Sequence, residues 1–315
     1  MRWWWALLSV LASTPAQADE PRTETAREGE VLDAYGPPSL PGLSHGGWAF
    51  DFDYTFAGAE ATDVVSYQPI PRGRAFAYAA RWLIEGALVK RFWYMGATGQ
   101  LAAAAVPSGT TPGTGGSDLL FGNPEIWGRG IWSSEVGLSA GGGLAFVLPV
   151  PRRYDELESE VVRVIRAVRP ADYPHFQDLT VTARPSFDVR HVVSIVVLQM
   201  RQGLDFSLLL RDPGEREHRY DIAAHAFAYI GLTPFENFTA GVELGEVYQL
   251  TADVSSPTCP APCDQHRIQV FISPSARVHL PPVSTGVSML IPLSTPLRGE
   301  VASYLAGRVH LEVLF

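Results

Sequence analysis

The sequence predicts an all-β protein: a transmembrane, antiparallel meander β-barrel of about twelve strands, with short periplasmic turns and long extracellular loops. Three observations support this prediction. Apolar and polar residues alternate with period two along many segments, the number of such segments is even, and their connections alternate between short and long. The composition agrees with a membrane barrel, because 46% of the residues are hydrophobic and only 18% are charged.

The N-terminal residues 1–18 have the pattern of a secretory signal peptide. Arg2 precedes an apolar run, Trp3 to Ala12, and Ala16-Gln17-Ala18 is a small-x-small cleavage site. The alternative is an uncleaved anchor, although the run is short for a bilayer span. Residues 19–47 are polar, then rich in Pro and Gly, and predict an irregular segment before a barrel that covers residues 48–315.

The rest of the chain excludes several classes of protein. After residue 18 no apolar run approaches the roughly 18 residues of a spanning helix, which excludes a helical membrane protein. The formal net charge is -9 and there is no basic stripe, so nucleic acid is not an expected partner. The sequence shows no nucleotide-binding motif, and we expect no cofactor and only passive transport.

The first strand begins abruptly at Trp48. Aromatic residues occupy every second position as far as Phe56, and the intervening positions include Asp51 and Asp53. A soluble sandwich would bury the aromatic face against a second sheet, whereas a membrane barrel would turn it to lipid and the carboxylates to the lumen. This strand alone does not distinguish the two.

The number of strands and the rhythm of their connections favour the barrel. The predicted strands are 48–57, 74–88, 93–106, 118–132, 135–148, 179–190, 192–208, 219–230, 237–250, 267–280, 283–293 and 299–315. Even-numbered strands lead into short turns, and odd-numbered strands lead mostly into longer loops, starting with 58–73. Pro124 breaks the alternation of the strand from Asp118, so its facing stays undetermined.

The last strand predicts closure of the barrel. From Val301 the apolar face is Val301, Ser303, Leu305, Gly307, Val309, Leu311, Val313 and Phe315. Closure requires this strand to pair with the strand from Trp48, because a barrel leaves no free edge. Val309, Leu311, Val313 and Phe315 also resemble the C-terminal aromatic signal by which the barrel-assembly machinery recognises outer-membrane barrels.

One loop departs from the all-β pattern. Between residues 154 and 169, apolar residues recur at helical spacing, with acidic residues early and arginines late, and Pro170 ends the pattern. The spacing predicts a short amphipathic helix in an extracellular loop. It caps the barrel mouth, folds inward as a constriction, or lies on the lipid surface.

Turning the polar faces inward gives the candidate lumen-lining residues. They are Asp51, Asp53, Arg81, Glu85, Arg184, Asp188, Arg190, Arg219, Asp221, His225, Glu243, Arg267, Arg277, His279, Arg308 and His310. One interpretation is a set of ion pairs that brace the interior, because buried charges need partners. The other is a narrow polar path that selects solutes by charge and size. The mixture of signs argues against strong selectivity for either anions or cations.

Catalysis and metal binding are not predicted. Ser and His residues such as His279 and Ser275 occur without a Gly-x-Ser-x-Gly motif or the His-x-Ser signature of barrel phospholipases. Cys259 and Cys263, with His266 nearby, do not match the ligand spacing of zinc sites. In an exported protein these two cysteines predict a local disulfide.

The segment Ser117 to Gly130, Ser-Asp-Leu-Leu-Phe-Gly-Asn-Pro-Glu-Ile-Trp-Gly-Arg-Gly, carries a family resemblance. It is similar to the outer-membrane "transporter" barrels named after the meta-pathway of phenol degradation, themselves distantly similar to fatty-acid-channel-like porins. The resemblance implies a Gram-negative outer membrane and uptake of small hydrophobic or aromatic solutes.

We therefore expect an outer-membrane channel or transporter for passive diffusion of small solutes, in contact with outer-membrane lipid and lipopolysaccharide. The alternatives are a closed structural, adhesive or recognition barrel and, less favoured, a barrel hydrolase. Measured conductance would separate the channel from a closed barrel.

Overall fold

A computed structural model describes most of the barrel region of the chain. The described residues are 47–65, 68–89, 92–108, 115–134, 137–150, 154–211, 219–235, 237–251, 267–294, 296 and 301–315. The predicted signal peptide, the segment before residue 47, and both Cys259 and Cys263 lie outside these ranges. Their predicted roles therefore stay predictions.

Within the described ranges, thirteen strands form one antiparallel sheet. They are β1 Trp48–Val65, β2 Gln68–Val89, β3 Trp93–Val106, β4 Gly116–Phe121, β5 Glu125–Ser133, β6 Leu138–Val147, β7 Thr180–Val193, β8 Val196–Leu209, β9 Tyr220–Phe235, β10 Phe238–Gln249, β11 Ile268–Leu280, β12 Val283–Pro292 and β13 Val301–Leu314. Because β4 and β5 both pair with β3, they are two halves of one position in the wall. The result is the twelve-stranded barrel that the sequence predicts.

The barrel closes between its first and last strands. β1 and β13 are antiparallel, with Asp53 opposite His310 and Phe56 opposite Gly307. At the end of this seam the Phe315 amide donates to the Trp48 carbonyl at 2.8 Å. The predicted pairing of the two strands is confirmed, and it leaves no open sheet edge at the seam.

The alternation of side chains separates an apolar outer surface from a polar interior. Outward residues such as Phe56, Phe76 and Leu305 are about half exposed, while inward residues such as Asp53 and His310 are buried. A soluble sheet would cover those rings, but here they form the outside of a closed wall. This arrangement is typical of a barrel whose solvent is lipid.

Two local predictions were wrong. Residues 58–73 were expected to form a loop, but β1 and β2 continue as a paired hairpin as far as Val65 and Gln68. Val301 was placed on the outer face with Leu305, yet it is fully buried. A register shift opposite Glu60 and Ala61 causes this, because one extra residue reverses the facing of the strand beyond it.

The fourth position of the wall is interrupted at Gly122–Pro124. Proline has no amide to donate to the ladder, which explains why β4 and β5 are separate strands. The Gly122 amide still donates to the carbonyl of Gln100 on β3, at 3.0 Å. The interrupted segment therefore remains part of the wall, and the backbone groups of the neighbouring Asn123 can form hydrogen bonds with residues in the barrel interior.

The connection between β6 and β7 contains the two helices of the structure's described part. Helix α1 spans Glu156–Val168, where the sequence predicts an amphipathic helix, and a 3₁₀ helix follows at Pro170–Phe176. Asp155 and Glu158 form a capping box that satisfies amides at the start of α1. Neither helix has the length and apolar character to cross a membrane.

Candidate functional site

Helix α1 lies inside the barrel, against a wall of small side chains. Its apolar face includes Val161, Val164, Ile165 and Val168, all buried. The inward residues that it packs on form the alanine wall: Ala57, Ala59, Ala61, Ala75, Ala77, Ala79, Ala102 and Ala104 of β1, β2 and β3. Larger inward side chains would occupy the volume of the helix. Of the three positions considered for this helix, the structure shows the inward one.

We call residues 154–178 the inserted segment. One set of polar contacts fastens it to β1 and β2. The Arg169 side chain donates to Asp172 at 2.5 Å and to Thr55 of β1 at 3.1 Å. Arg81 of β2 lies 3.6 Å from Asp53 and 3.9 Å from Asp172. Two arginines and two aspartates thus link the inserted segment to the first hairpin.

Arg184 of β7 fastens the opposite side of the inserted segment. Its guanidinium donates to the carbonyl of Ala171 at 2.8 Å, to Glu125 at 2.7 Å and to Asp205 at 2.8 Å. Its Nη1 also lies 3.3 Å from His175 Nε2. One side chain therefore joins the 3₁₀ helix to two acidic groups of the wall.

The inserted segment forms hydrogen bonds with Asn123, at the interruption of the wall. The Asn123 amide donates to the His175 carbonyl at 2.6 Å, and its side-chain amide donates to the Gln177 carbonyl at 2.8 Å. The Asn123 carbonyl accepts from His175 Nδ1 at 2.9 Å. On the far side, Gln269 donates to the Ala167 carbonyl at 2.7 Å, which satisfies a carbonyl at the end of α1.

The contacts of His175 define its protonation state. Nδ1 faces a carbonyl oxygen and must carry a proton, whereas Nε2 faces the donor Nη1 of Arg184 and must be bare. The side chain is 1% exposed. Burial lowers the pKa of His175 below its usual value; Glu125 opposes this shift and Arg184 adds to it. The docked inserted segment therefore holds a neutral imidazole.

Asp172 is ionised in the docked inserted segment. Burial alone would raise the pKa of this carboxyl, but the guanidinium groups of Arg169 and Arg81 hold it well below its usual range. The Asp172 carboxylate therefore keeps its negative charge, and its two arginine contacts, across the physiological pH range.

Two cavities lie on either side of the 3₁₀ helix. The inner cavity, of about 110 Å³, is lined by Arg169, Asp172 and His175 from the inserted segment and by charged residues of the wall. The mouth cavity, of about 310 Å³, lies between the inserted segment and β7, β8 and β9, and Tyr173 and Phe176 contribute to its lining. The inserted segment thus divides the barrel interior in two.

Further ion pairs cross the interior toward the end of the barrel with the short turns. Arg129 donates to Glu85 at 2.7 Å, and Arg201 lies 3.5 Å from Asp188. Closer to that end Arg277 pairs with Glu312, and His310 lies 3.4 Å from Asp51. Two of these pairs link adjacent strands, β7 with β8 and β1 with β13, and the other two reach across an intervening strand, from β2 to β5 and from β11 to β13. They brace the interior, as one of the two interpretations of the charged residues requires.

The candidate lumen residues occupy four positions in the structure. Six line the inner cavity: Arg81, Arg184, Asp188, His225, Glu243 and Arg308. Arg219 and Asp221 line the mouth cavity. Six more are largely buried in the interior beside neither cavity: Asp51, Asp53, Glu85, Arg190, Arg277 and His310. Arg267 and His279 are half-buried at opposite ends of β11.

The sequence prediction missed the residues that fasten the inserted segment. They are Asn123, Glu125, Arg169, Asp172, His175 and Gln269. The sequence did contain a sign that a segment fills the interior, because three consecutive strands carry alanine on the inward face where a water-filled lumen would carry polar residues. A second signal was the Asn-Pro step within a strand, which frees backbone groups for other partners.

The described residues include one group with the geometry of a possible metal site. Asp51, His310 and Glu312 bring one ligand atom each within 4.8 Å of one another. Arg277 already pairs with Glu312, so a cation would compete with a guanidinium for the same carboxylate. The residues fit an internal ion-pair network better than a metal centre.

Comparisons with known proteins support the fold. No known family matches the sequence, and no curated protein matches it. The structure is similar to the COG4313 outer membrane channel from Pseudomonas putida F1, with a TM-score of 0.60 at 10% identity over 87% of this chain and 98% of that one. It is also similar to the translocator domain of the autotransporter NalP from Neisseria meningitidis, with a TM-score of 0.51 at 9% identity over 87% and 90%. At these identities the similarity establishes an outer-membrane barrel fold, and the meta-pathway resemblance stays a prediction.

Proposed function

We propose that the protein is an outer-membrane channel for passive diffusion of small solutes, and that the inserted segment is its gate. In the docked state the 3₁₀ helix separates the mouth cavity from the inner cavity. Displacement of the segment toward the mouth would join the two cavities into one passage. Nothing in this function requires a cofactor, because diffusion follows the solute gradient.

The observation that carries the proposal is the way in which the inserted segment is held. Its apolar face packs on alanine side chains, and its other contacts are hydrogen bonds and ion pairs to Arg81, Arg184 and Asn123. Water can replace such polar contacts at modest net cost, because each intramolecular hydrogen bond stabilises by only about 0.5–1.5 kcal/mol. A purely structural barrel would be expected to fill the same volume with a continuous core of large side chains.

The proposed location is the outer membrane of a Gram-negative cell. The half-exposed outward rings of residues such as Phe56 and Phe76 suit lipid, with lipopolysaccharide as a neighbour on the side of the long loops. The face of Val309, Leu311, Val313 and Phe315 would serve the barrel-assembly machinery as a recognition signal. The resemblance to the transporter family favours hydrophobic or aromatic solutes.

The alternative is a closed barrel with a structural, adhesive or recognition role, in which the inserted segment never leaves. Planar-bilayer recording of the purified protein separates the two functions. A channel gives discrete openings above the bilayer baseline, and liposomes containing it admit small organic solutes. A permanently closed barrel gives neither, even though it inserts and shows heat-modifiable migration.

A further inference from the structure

We propose that the mouth cavity is a binding site for small organic carboxylates, which are captured there before they pass the gate. The proposal names the solute class and rests on the proposed channel function for its biological meaning. The binding itself depends only on the lining of the cavity.

Positive charge reaches the mouth cavity from both of its sides. Arg163 and Arg166 project from α1, and Arg211 and Arg219 come from the facing ends of β8 and β9. The acids in the described lining of the cavity are Asp178 and Asp221. Guanidinium groups pair with carboxylates in a planar, two-point geometry, which makes arginine the preferred residue for this ligand chemistry.

The two acids are already engaged within the protein. Asp178 lies 3.6 Å from Arg211. Asp221 accepts hydrogen bonds from Thr251 at 2.6 Å and from Gln249 at 2.9 Å, both neutral donors. Arg163 in turn pairs with Glu160 of α1 at 2.7 Å. Four arginines therefore face three acids among the described residues, and an incoming anion meets an excess of one positive charge.

The inner cavity repeats this imbalance. Six arginines and four acids line it within the described ranges, although the whole chain has a net charge of -9. Buried inward carboxylates outside the lining offset part of this charge, such as Asp53, which lies 3.4 Å from Arg308. The described lining of both compartments still carries more guanidinium than carboxylate groups, which favours an anion over a cation along the passage.

Apolar surface in the mouth cavity favours an organic anion over an inorganic one. Val162, Phe176 and Leu209 line it together with the arginines. A ligand with a carboxylate at one end and an apolar body would pair with Arg211 or Arg219 and cover these side chains. Because α1 forms one side of the cavity and the strands form the other, such a ligand would touch both the gate and the wall.

Binding of benzoate to the full chain in detergent tests the proposal without requiring transport. We expect benzoate to bind, benzyl alcohol and benzylamine to bind at least tenfold more weakly, and inorganic phosphate to compete poorly. The double variant Arg211→Gln with Arg219→Gln should weaken benzoate binding by about tenfold or more. Raising the salt concentration should weaken it as well.

Arg74→Gln is the matched control, because Arg74 is exposed near the loop end of β2 and lines neither cavity. Equal binding of benzoate and benzyl alcohol, or equal effects of the double variant and the control, would overturn the carboxylate site. Phosphate binding as tight as benzoate would overturn the organic part of the proposal. Benzoate binding without benzoate flux into liposomes would leave the site standing and refute the channel function instead.

Discussion

Replacing Arg184 by Gln should release the gate. The side chain holds the Ala171 carbonyl of the inserted segment and pairs with Glu125 and Asp205 of the wall, at 2.7 and 2.8 Å. Removing one partner of a buried ion pair typically costs about 3–5 kcal/mol, because the other charge is left without compensation. We expect Arg184→Gln to raise the open probability of the channel.

The lower end of that range applies here. Without Arg184, His175 Nε2 no longer faces a donor; it can take a proton and pair with Glu125, which lies 3.6 Å away. Asp205 retains His225 at 3.4 Å, so each carboxylate keeps one partial partner. A loss of about 3 kcal/mol corresponds to roughly a hundredfold shift of an equilibrium. Part of the lost free energy destabilises the barrel wall and not the docked inserted segment. We therefore expect an increase in open probability of between tenfold and a hundredfold.

Two assays measure this effect. Single-channel recording gives the open probability directly, and limited trypsin digestion reports exposure of Arg163 and Arg166 on α1. The matched control is Arg201→Gln, which removes the same charge from the inner cavity. Arg201 lies 3.5 Å from Asp188 on the neighbouring strand, and both belong to the wall. Equal open probability and equal protection from trypsin in the two variants would refute the assignment of Arg184 as a fastening of the gate.

Three other predictions address the gate and the barrel separately. Acidification from pH 7.5 to 5.5 should favour opening, by up to tenfold per pH unit below about pH 6.5. The reason is that the docked state lowers the pKa of His175 and so binds fewer protons than the released state. His175→Gln should flatten this pH dependence, and an unchanged slope in that variant would show that another group is responsible. Ala104→Leu should displace α1 at a cost of about 1–3 kcal/mol, since the helix packs on that side chain. Ala103→Leu, on the outer face of the same strand, should leave trypsin protection unchanged; equal loss of protection would argue against the alanine wall. Phe315→Asp should reduce insertion of the protein into the membrane, because it replaces an exposed ring beside the closing seam by a charge at the lipid surface. A normal yield of heat-modifiable barrel from this variant would contradict the prediction.

The barrel could be predicted from the sequence because the alternation of apolar and polar residues is visible within single strands. Alternation from Trp48 to Phe56 identifies one face for lipid and one for the interior, and closure then requires that strand to pair with the last one. What could not be predicted was the facing of β13 before Ser303, where it pairs with Glu60 and Ala61 of β1. A single extra residue in one strand reverses every side chain that follows, and local patterns do not reveal where a register shift occurs.

The helix could also be predicted, but its position could not. Its apolar face shows only that Val161 and Val164 need a partner, which lipid, another loop or the interior could each supply. The partner is visible only when the inward alanines of three strands are considered together, and these alanines lie about 50 to 110 residues before α1 in the chain. The fastening residues Asp172 and His175 follow a proline in a loop, where no periodicity marks them as buried.

The most direct test of the gated-channel account is single-channel recording of a variant in which residues 154–178 are replaced by a short Gly-Ser linker. Heat-modifiable migration and circular dichroism would first establish that the barrel has formed. The account predicts long-lived openings, larger than the brief openings of the unmodified protein, and a preference for anions over cations. A correctly inserted barrel with no conductance after this replacement would contradict it.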